Sequence, residues 1–304
     1  MIAADAREAL VALHGDRVRF DALMSRHTSL RVGGPADALV TAVTADEASH
    51  CVAFCAEHGL ALTPLGGGFN TLVRDEGVDG IVLLTGKLRA LNWEPDGALR
   101  AEAGVSHSQV MRACIERGRS GLEFGAGIPG TVGGWVAMNA GVPAREVRDA
   151  LLDAEVATLD RGRVRLAAER LDFVYRNARG LSAGAVLLSA RFRTEPAPSA
   201  GVRAAIDEHI SRRRATQPLD LPSCGSVFKN PPGEHAGQLI EQCGLKGERE
   251  GGAQISCVHA NFIVNRGGAR ASDVLALIER AREGVRSQTG IELETEVRLV
   301  GRES

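Results

Sequence analysis

Residues 223–232 read SCGSVFKNPP, with Ser226 three positions before Lys229 and no histidine within eight residues of the serine on either side. A nucleophilic serine needs a base to take its proton, and the G-x-S-x-G elbow of hydrolases is absent because Gly225 is followed by Ser226, Val227 and Phe228. A serine so placed is better suited to giving up a proton than to attacking. Two glycine-rich stretches, PLGGGFNTL at 64–72 and GAGIPGTVGGWVAMNAG at 125–141, offer backbone N–H groups unshielded by side chains. Such groups form a nest around an anion or lie flat against a planar ring, whereas tight turns between strands account for one such loop better than for two.

Gly125-Ala-Gly-Ile-Pro-Gly130 matches G-x-G-x-x-G letter for letter, so a dinucleotide fold is the first reading to test. That fingerprint must join a strand to a helix whose N-terminus faces a pyrophosphate. Pro129 removes an N–H from the loop and Thr-Val-Gly-Gly is a poor helix start, which argues against it. PLGGGFNTL lacks the Gly-Lys-Ser/Thr ending of a phosphate-binding Walker loop.

The elements that carry these loops follow from periodicity. Thr44-Ala-Asp-Glu47 is a capping box for a helix ending at His58-Gly59, and LALTPL is a strand delivering the chain to Gly66. ALRAEAGV as a strand and SHSQVMRACIERG as a helix repeat the logic, giving an α/β or α+β domain whose loops face a ligand. From Leu151, ALLDAEVATLD, RVRLAAE and GAVLLSARFRT alternate as strands around a turn at Arg161-Gly162. EPAPSAG at 195–201 reads as a linker. Beyond it come a helix (VRAAIDEHISRRRA), the serine turn, a helix (AGQLIEQCG), a strand (NFIVN), a long helix and a final strand, IELETEVRLVG. In the long helix Val274, Leu277, Ile278, Ala281 and Val285 mark a core face.

At 304 residues the chain exceeds one ordinary core. Its 44% hydrophobic and 24% charged residues, net charge of −2 and longest basic run of Arg212-Arg213-Arg214 show no nucleic-acid footprint and favour a small-molecule partner. MIAADAREALVALHG has an early acid and no apolar run, so neither a signal peptide nor a membrane segment is expected and the protein reads as cytoplasmic. Cys51, Cys55, Cys114, Cys224, Cys243 and Cys257 form no C-x-x-C pair and read as free thiols; no metal is expected.

PLGGGFNTLV, GLEFGAGIPGTVGGWVAMNAG, FVYR, CGSVFKNP and LETEVRLVG occur in that order, and together they resemble the UDP-N-acetylenolpyruvoylglucosamine reductase family of bacterial cell-wall synthesis over residues 28–301. The resemblance implies an α+β architecture. An FAD-binding fold of the vanillyl-alcohol-oxidase (PCMH) type in two subdomains would occupy 31–196, after an N-terminal segment at 1–30, with a smaller C-terminal α+β substrate domain at 201–304. The FAD residues it implies are Arg31, then Pro64, Leu65, Gly66, Gly67, Gly68, Phe69, Asn70, Thr71 and Leu72 for the pyrophosphate. Gly125, Ala126, Gly127, Ile128, Pro129, Gly130, Thr131, Gly133, Gly134, Asn139, Ala140 and Gly141 would run toward the isoalloxazine ring.

In that family NADPH reduces FAD, and hydride then passes to the enolpyruvyl double bond of a UDP-linked sugar, yielding UDP-N-acetylmuramate for peptidoglycan, on which cell shape and division depend. Hydride at the terminal vinyl carbon leaves carbanion character next to the carboxylate. Ser226 matches the family's proton donor, and general acids contribute ~10²–10⁴ in rate. Arg176 matches the catalytic arginine, suited to fork onto the substrate carboxylate, and Glu296 the catalytic glutamate, which only the match to EVR selects over Glu292 and Glu294. Tyr175, Lys229, Asn230 and His259 are the substrate-binding candidates, with Lys229 also placed to steady the serine alkoxide. Tyr175 is the single tyrosine, so the chain resembles the subgroup without the tyrosine-bearing loop. A monomer acting on UDP-N-acetyl-3-O-(1-carboxyvinyl)-glucosamine, with no nucleic-acid or membrane partner, is the expectation. The rivals are an FAD-linked sugar or lactone oxidase of the same fold and a non-catalytic nucleotide-binding protein.

Overall fold

A computed structural model of the chain describes residues 2–303, which fall into two compact units. The first runs up to Phe20 and takes in Asp37–Gly67 and Gly80–Arg212; the second takes in Asp21–Ala36, Gly68–Asp79 and the chain from Arg213 onward.

In the first unit, the alternating segments from Leu151 pair as an antiparallel five-stranded sheet. Its order is Gly162–Ala167, Leu151–Thr158, Val186–Phe192, Leu99–Glu102, Leu91–Trp93. The turn into its edge strand needs Gly162, at φ +66°. A second sheet, mostly within this unit, orders Val18–Leu23, Pro35–Thr41, Val78–Leu84 and Leu62–Leu65, the last two parallel. Helix Ala45–His58 starts where Thr44 Oγ1 accepts the Glu47 N–H at 3.1 Å. The expected reciprocal half of that box goes elsewhere, since Glu47 Oε2 accepts from Val43 N–H at 2.9 Å and Oε1 pairs with Arg17 at 3.2 Å. Helix His107–Arg117 has the full box, built by Ser106 and Gln109. Phe192, Leu99, Ile81 and Leu83 are fully buried in the core these elements share, as are Cys51 and Cys55 on one helix face.

The second unit is built on an antiparallel sheet in the order Ser223–Ser226, Phe262–Asn265, Ala253–Ile255, Arg249–Glu250. Helix Ala271–Thr289 packs on it through Val274, Leu277, Ile278, Ala281 and Val285, all buried. The Asp75 carboxylate satisfies the first N–H groups of that helix, accepting from Ala271 at 2.9 Å and Ser272 at 3.0 Å. Arg298–Val300 pairs in parallel with Thr71–Val73, and Leu72 and Phe228 lie in the core of this unit.

Three local expectations are corrected. The EPAPSAG linker does not exist as such: Glu195–Pro196 pairs with Arg119–Ser120, and helix Ser199–Thr216 begins inside the segment. Pro198, which cannot donate, lies just before that helix and its carbonyl accepts from Gly201 and Val202, so the proline starts the helix instead of breaking a run. The Thr-Val-Gly-Gly stretch does open a helix, Val132–Ala137, because the buried Trp135 and Val136 anchor it against the glycine propensity. The strand preceding that loop, Arg119–Ser120, is antiparallel to its partner, which is not the context of a dinucleotide fingerprint. The last expected strand is regular only over Arg298–Val300, since Glu294, Glu296 and Val297 are fastened by backbone bonds to Val227 and Lys229 instead of a continuous ladder.

Candidate active site

In the second unit the expected serine turn is a bulged strand. Ser223 pairs with Val264 and Ser226 with Phe262, a register shift that Gly225 accommodates at φ +81°. The bulge leaves Ser226 half-buried between the buried Cys224 and Val227. The next residues are clamped. Asn261, buried, donates its amide N–H to the Phe228 carbonyl at 2.8 Å and accepts the Phe228 N–H at 2.9 Å, while Val227 N–H donates to the Asn261 carbonyl at 2.8 Å. On the other side the Glu296 N–H donates to the Val227 carbonyl at 2.8 Å. Asn70 Nδ2 holds the Glu296 carbonyl at 3.0 Å, and Arg298 N–H returns to the Asn70 carbonyl at 3.1 Å. Ser226, Glu296 and Asn70, far apart in sequence, are thus brought together. Burial pushes the Cys224 thiol up to about 12, with Glu296 adding to the effect, so a thiolate does not compete beside Ser226.

Lys229, Asn230 and His259 have structural partners. Lys229 Nζ lies 2.5 Å from Glu294 Oε1, and its N–H donates to the Glu294 carbonyl at 2.8 Å. Asn230 Oδ1 accepts the Ala236 N–H at 3.0 Å, ahead of helix Ala236–Gln242. His259 Nδ1 accepts the Asn261 N–H at 3.2 Å, which puts the ring proton on Nε2, and burial lowers its pKa below the ordinary histidine value. Arg31 sits at φ +59° in a loop held by Thr28 Oγ1 on the Val32 carbonyl and by Asn265 Nδ2 on the Leu30 carbonyl. Gly68 packs flat on the same loop: a Cβ there would fall 2.3 Å from the His27 carbonyl oxygen.

In the first unit Arg176 occupies the tip of a hairpin between Phe173–Val174 and Asn177–Ala178, at φ +57°, with its guanidinium carbon 4.7 Å from the ring centroid of the exposed Tyr175. Left-handed backbone in a non-glycine residue is strained and tends to mark functional positions. Among the described residues five show it, and Arg31, Asn139 and Arg176 are three of them. The Asn139 side chain is fully buried and its amide is committed to Glu146, Val174 and Arg148.

The two glycine stretches meet within the first unit. A Cβ on Gly66 would lie 2.5 Å from Thr131 Oγ1, and that buried hydroxyl has no hydrogen-bond partner among the described residues. An unpaired buried hydroxyl costs ~1–3 kcal/mol. A backbone cradle with an unspent hydroxyl fits a polar cofactor lying along the loops. Gly125 has a different task, since a Cβ there would strike the Trp135 ring at 2.4 Å.

Comparison with known proteins bears directly on this arrangement. Residues 36–167 match a family described as FAD binding domain, and 217–300 match UDP-N-acetylenolpyruvoylglucosamine reductase, C-terminal domain. A UDP-N-acetylenolpyruvoylglucosamine reductase from Geobacter metallireducens is 44% identical over 292 residues, 96% of each chain. The chain belongs to the UDP-N-acetylenolpyruvoylglucosamine reductase family. A crystal structure of the Thermus caldophilus reductase superposes with a TM-score of 0.81 at 36% identity, covering 93% of this chain and 99% of that one. A VAO-type flavoprotein from Myceliophthora thermophila, 15% identical, matches 64% of this chain and 48% of its own at a TM-score of 0.50, a likeness of fold alone. Membership of the reductase family makes the chain an FAD-containing oxidoreductase of the vanillyl-alcohol-oxidase type of fold, and sets aside the sugar oxidase and the non-catalytic binding protein.

Sequence reading missed Asn261, Ser29 and Glu146. Ser29 Oγ bridges the Ser223 carbonyl at 2.7 Å and the Gly68 carbonyl at 3.1 Å. None of the three stands in a spacing that signals a role, and the only available clue was the placement of Asn261 beside the expected His259.

Proposed function

We propose that Ser226, Glu296 and Arg176 divide the proton and charge chemistry of the reaction this chain catalyses. That reaction is the NADPH-dependent reduction of UDP-N-acetylglucosamine enolpyruvate to UDP-N-acetylmuramate for peptidoglycan. When bound, FAD reduced by NADPH would supply the hydride for the terminal vinyl carbon. The Gly66 to Thr131 cradle would hold the cofactor in the first unit, with the Thr131 hydroxyl available to donate to it. Ser226 Oγ–H gives a proton to the carboxylate-bearing carbon, a strong enough base to take it when the hydroxyl is held in place. Arg176 forks onto the substrate carboxylate and offsets the charge that grows there. Glu296 holds a proton at the same carboxylate. Tyr175, Lys229, Asn230 and the Nε2–H of His259 contribute to binding the substrate, and the active species is a cytoplasmic monomer of the subgroup without the tyrosine loop. Among the described residues no helix is long and apolar enough to cross a membrane.

The observation that carries this reading is the hydrogen bond from Glu296 N–H to the carbonyl of Val227, the residue after Ser226, which joins two motifs 70 positions apart in one strand-like arrangement. The test is anaerobic stopped flow of the two half-reactions in Ser226→Ala. Flavin reduction by NADPH should keep its wild-type rate, while reoxidation by the enolpyruvyl substrate should slow by about 10²–10⁴. Reoxidation at the wild-type rate would remove Ser226 from the mechanism, and flavin content and melting temperature of the variant distinguish that role from a cofactor or folding defect.

A further inference from the structure

The Arg176 guanidinium is gripped from the hairpin formed by Gly141–Val142 and Arg145–Glu146. Its Nη2 donates to the Gly141 carbonyl at 3.1 Å, and its Nη1 faces Glu146 Oε1 at 3.4 Å. Glu146 is 8% exposed, and its second oxygen is also committed: Oε2 accepts from Asn139 Nδ2 at 2.8 Å and lies 3.2 Å from Arg148 Nε. Asn139 is fixed in turn. It is 0% exposed at φ +42°, its Nδ2 also donates to the carbonyl of Val174 at 3.1 Å, and its Oδ1 accepts the Arg148 N–H at 3.0 Å. Val174 belongs to the hairpin whose tip is Arg176, so the buried amide ties the carboxylate and the hairpin to one another. Two non-glycine residues in the left-handed region within one buried network are a strain that the surrounding bonds must hold.

We propose that Glu146 is a positioning residue for Arg176: it sets the orientation of the guanidinium before substrate arrives, with Asn139 holding the carboxylate in place. The inference rests on the reading of Arg176 as the group that binds the substrate carboxylate. An arginine side chain has several freely rotating bonds, and a fork aimed at a carboxylate is effective only in one plane. Pairing the guanidinium to a buried carboxylate and a backbone carbonyl fixes that plane without a rearrangement when the substrate binds.

The chemistry of Glu146 also predicts which substitution fails. A carboxylate presents two acceptors, and here each oxygen meets an N–H donor. A glutamine presents one acceptor and one donor, so Glu146→Gln must turn its NH₂ toward either Arg176 or Asn139. Glu146→Asp keeps both acceptors on a stem one methylene shorter.

The test compares Glu146→Gln, Glu146→Asp, Arg176→Lys, Arg176→Ala and the double variant Glu146→Gln/Arg176→Ala as FAD-loaded proteins. Half-reaction rates are measured anaerobically, and the affinity of the oxidised proteins for the enolpyruvyl substrate is measured by calorimetry. Glu146→Gln should slow the enolpyruvyl half-reaction by about 10- to 100-fold, the cost of a misaimed group. It should also weaken substrate binding and leave flavin reduction by NADPH within twofold. Glu146→Asp should fall between it and wild type. In the Arg176→Ala background the glutamine should cost nothing further in rate or affinity, because the residue it positions is gone. An additive loss in the double variant, or an equal loss in both half-reactions, would assign Glu146 to the fold and overturn the inference. If Arg176→Lys turns over normally, the reading of Arg176 falls and the inference with it; if Arg176→Lys is slow and Glu146→Gln is normal, only the inference falls.

Discussion

Replacing Asn261 with alanine tests how the strand that carries Ser226 is held. The side chain is 4% exposed and makes two bonds to one backbone unit, accepting from Phe228 N–H at 2.9 Å and donating to the Phe228 carbonyl at 2.8 Å; Phe228 itself is 2% exposed. Alanine leaves both backbone groups buried without this partner. At ~1–3 kcal/mol for each orphaned group the cost is ~2–6 kcal/mol, a large part of the ~5–15 kcal/mol that stabilises an ordinary domain. Asn261→Asp keeps the acceptor for Phe228 N–H but sets a carboxylate oxygen against a carbonyl oxygen, so it should not rescue. The assay is native-state hydrogen exchange at the Phe228 amide, supported by urea unfolding of the FAD-loaded protein. Protection at Phe228 should fall by about 30-fold or more, using ~2 kcal/mol as the lower bound. The enolpyruvyl half-reaction should slow with it, since Ser226 lies two residues upstream. Wild-type protection in Asn261→Ala would refute the clamp.

Thr131→Val keeps shape and removes the hydroxyl without a partner, so the flavin-free protein should be as stable as wild type or more so while FAD binds more weakly, by about tenfold for one lost hydrogen bond; flavin titration and thermal melts of both forms read the two signs separately. Asp75→Asn should destabilise by about 0.5–2 kcal/mol through the start of helix Ala271–Thr289. Burial opposes the charge of Asp75, but bonds from Ser272 and Ala271 outweigh it and hold its carboxyl below the usual range. The unfolded chain therefore takes up this proton first on acidification, so the stability is present above about pH 4 and is lost as pH falls further; unfolding midpoints of wild type and Asp75→Asn should converge there. His14 is buried with both ring nitrogens lacking hydrogen-bond partners among the described residues; burial lowers its pKa, the Arg17 and His50 charges add to that, and Glu47 opposes it. Below about pH 6.5 the unfolded chain binds a proton the native one does not, so stability declines as pH falls from there, and His14→Leu should flatten that slope in unfolding measured between pH 5 and 7.

Much of the fold was legible because it is local. Thr44 and Ser106 announce their helices, the core face of Ala271–Thr289 shows in its spacing, and the strands from Leu151 show in their alternation. The errors fall where packing overrides local preference. Two glycines after Thr131 argue against a helix until Trp135 is buried beside Gly125, and proline and glycine at 195–201 argue for a linker until Arg119–Ser120 supplies a strand partner. The alternation over 291–301 promises a long strand, but the backbone partners of Glu294, Glu296 and Val297 are Val227 and Lys229, so only Arg298–Val300 pair regularly.

By itself the sequence determined the chemistry: ordered motifs containing Ser226, Arg176, Glu296 and the glycine loops are covalent facts, and their residue types limit what each can donate, accept or cradle. What only the tertiary structure decided is which groups hold them. Asn70 reaches Glu296 across 226 residues, Ser29 reaches Ser223 across 194, and Glu146 meets Arg176 and Asn139 on different turns. No spacing rule encodes such pairs, because a hydrogen bond depends on distance and direction in space, and those are set only when each unit closes around its core.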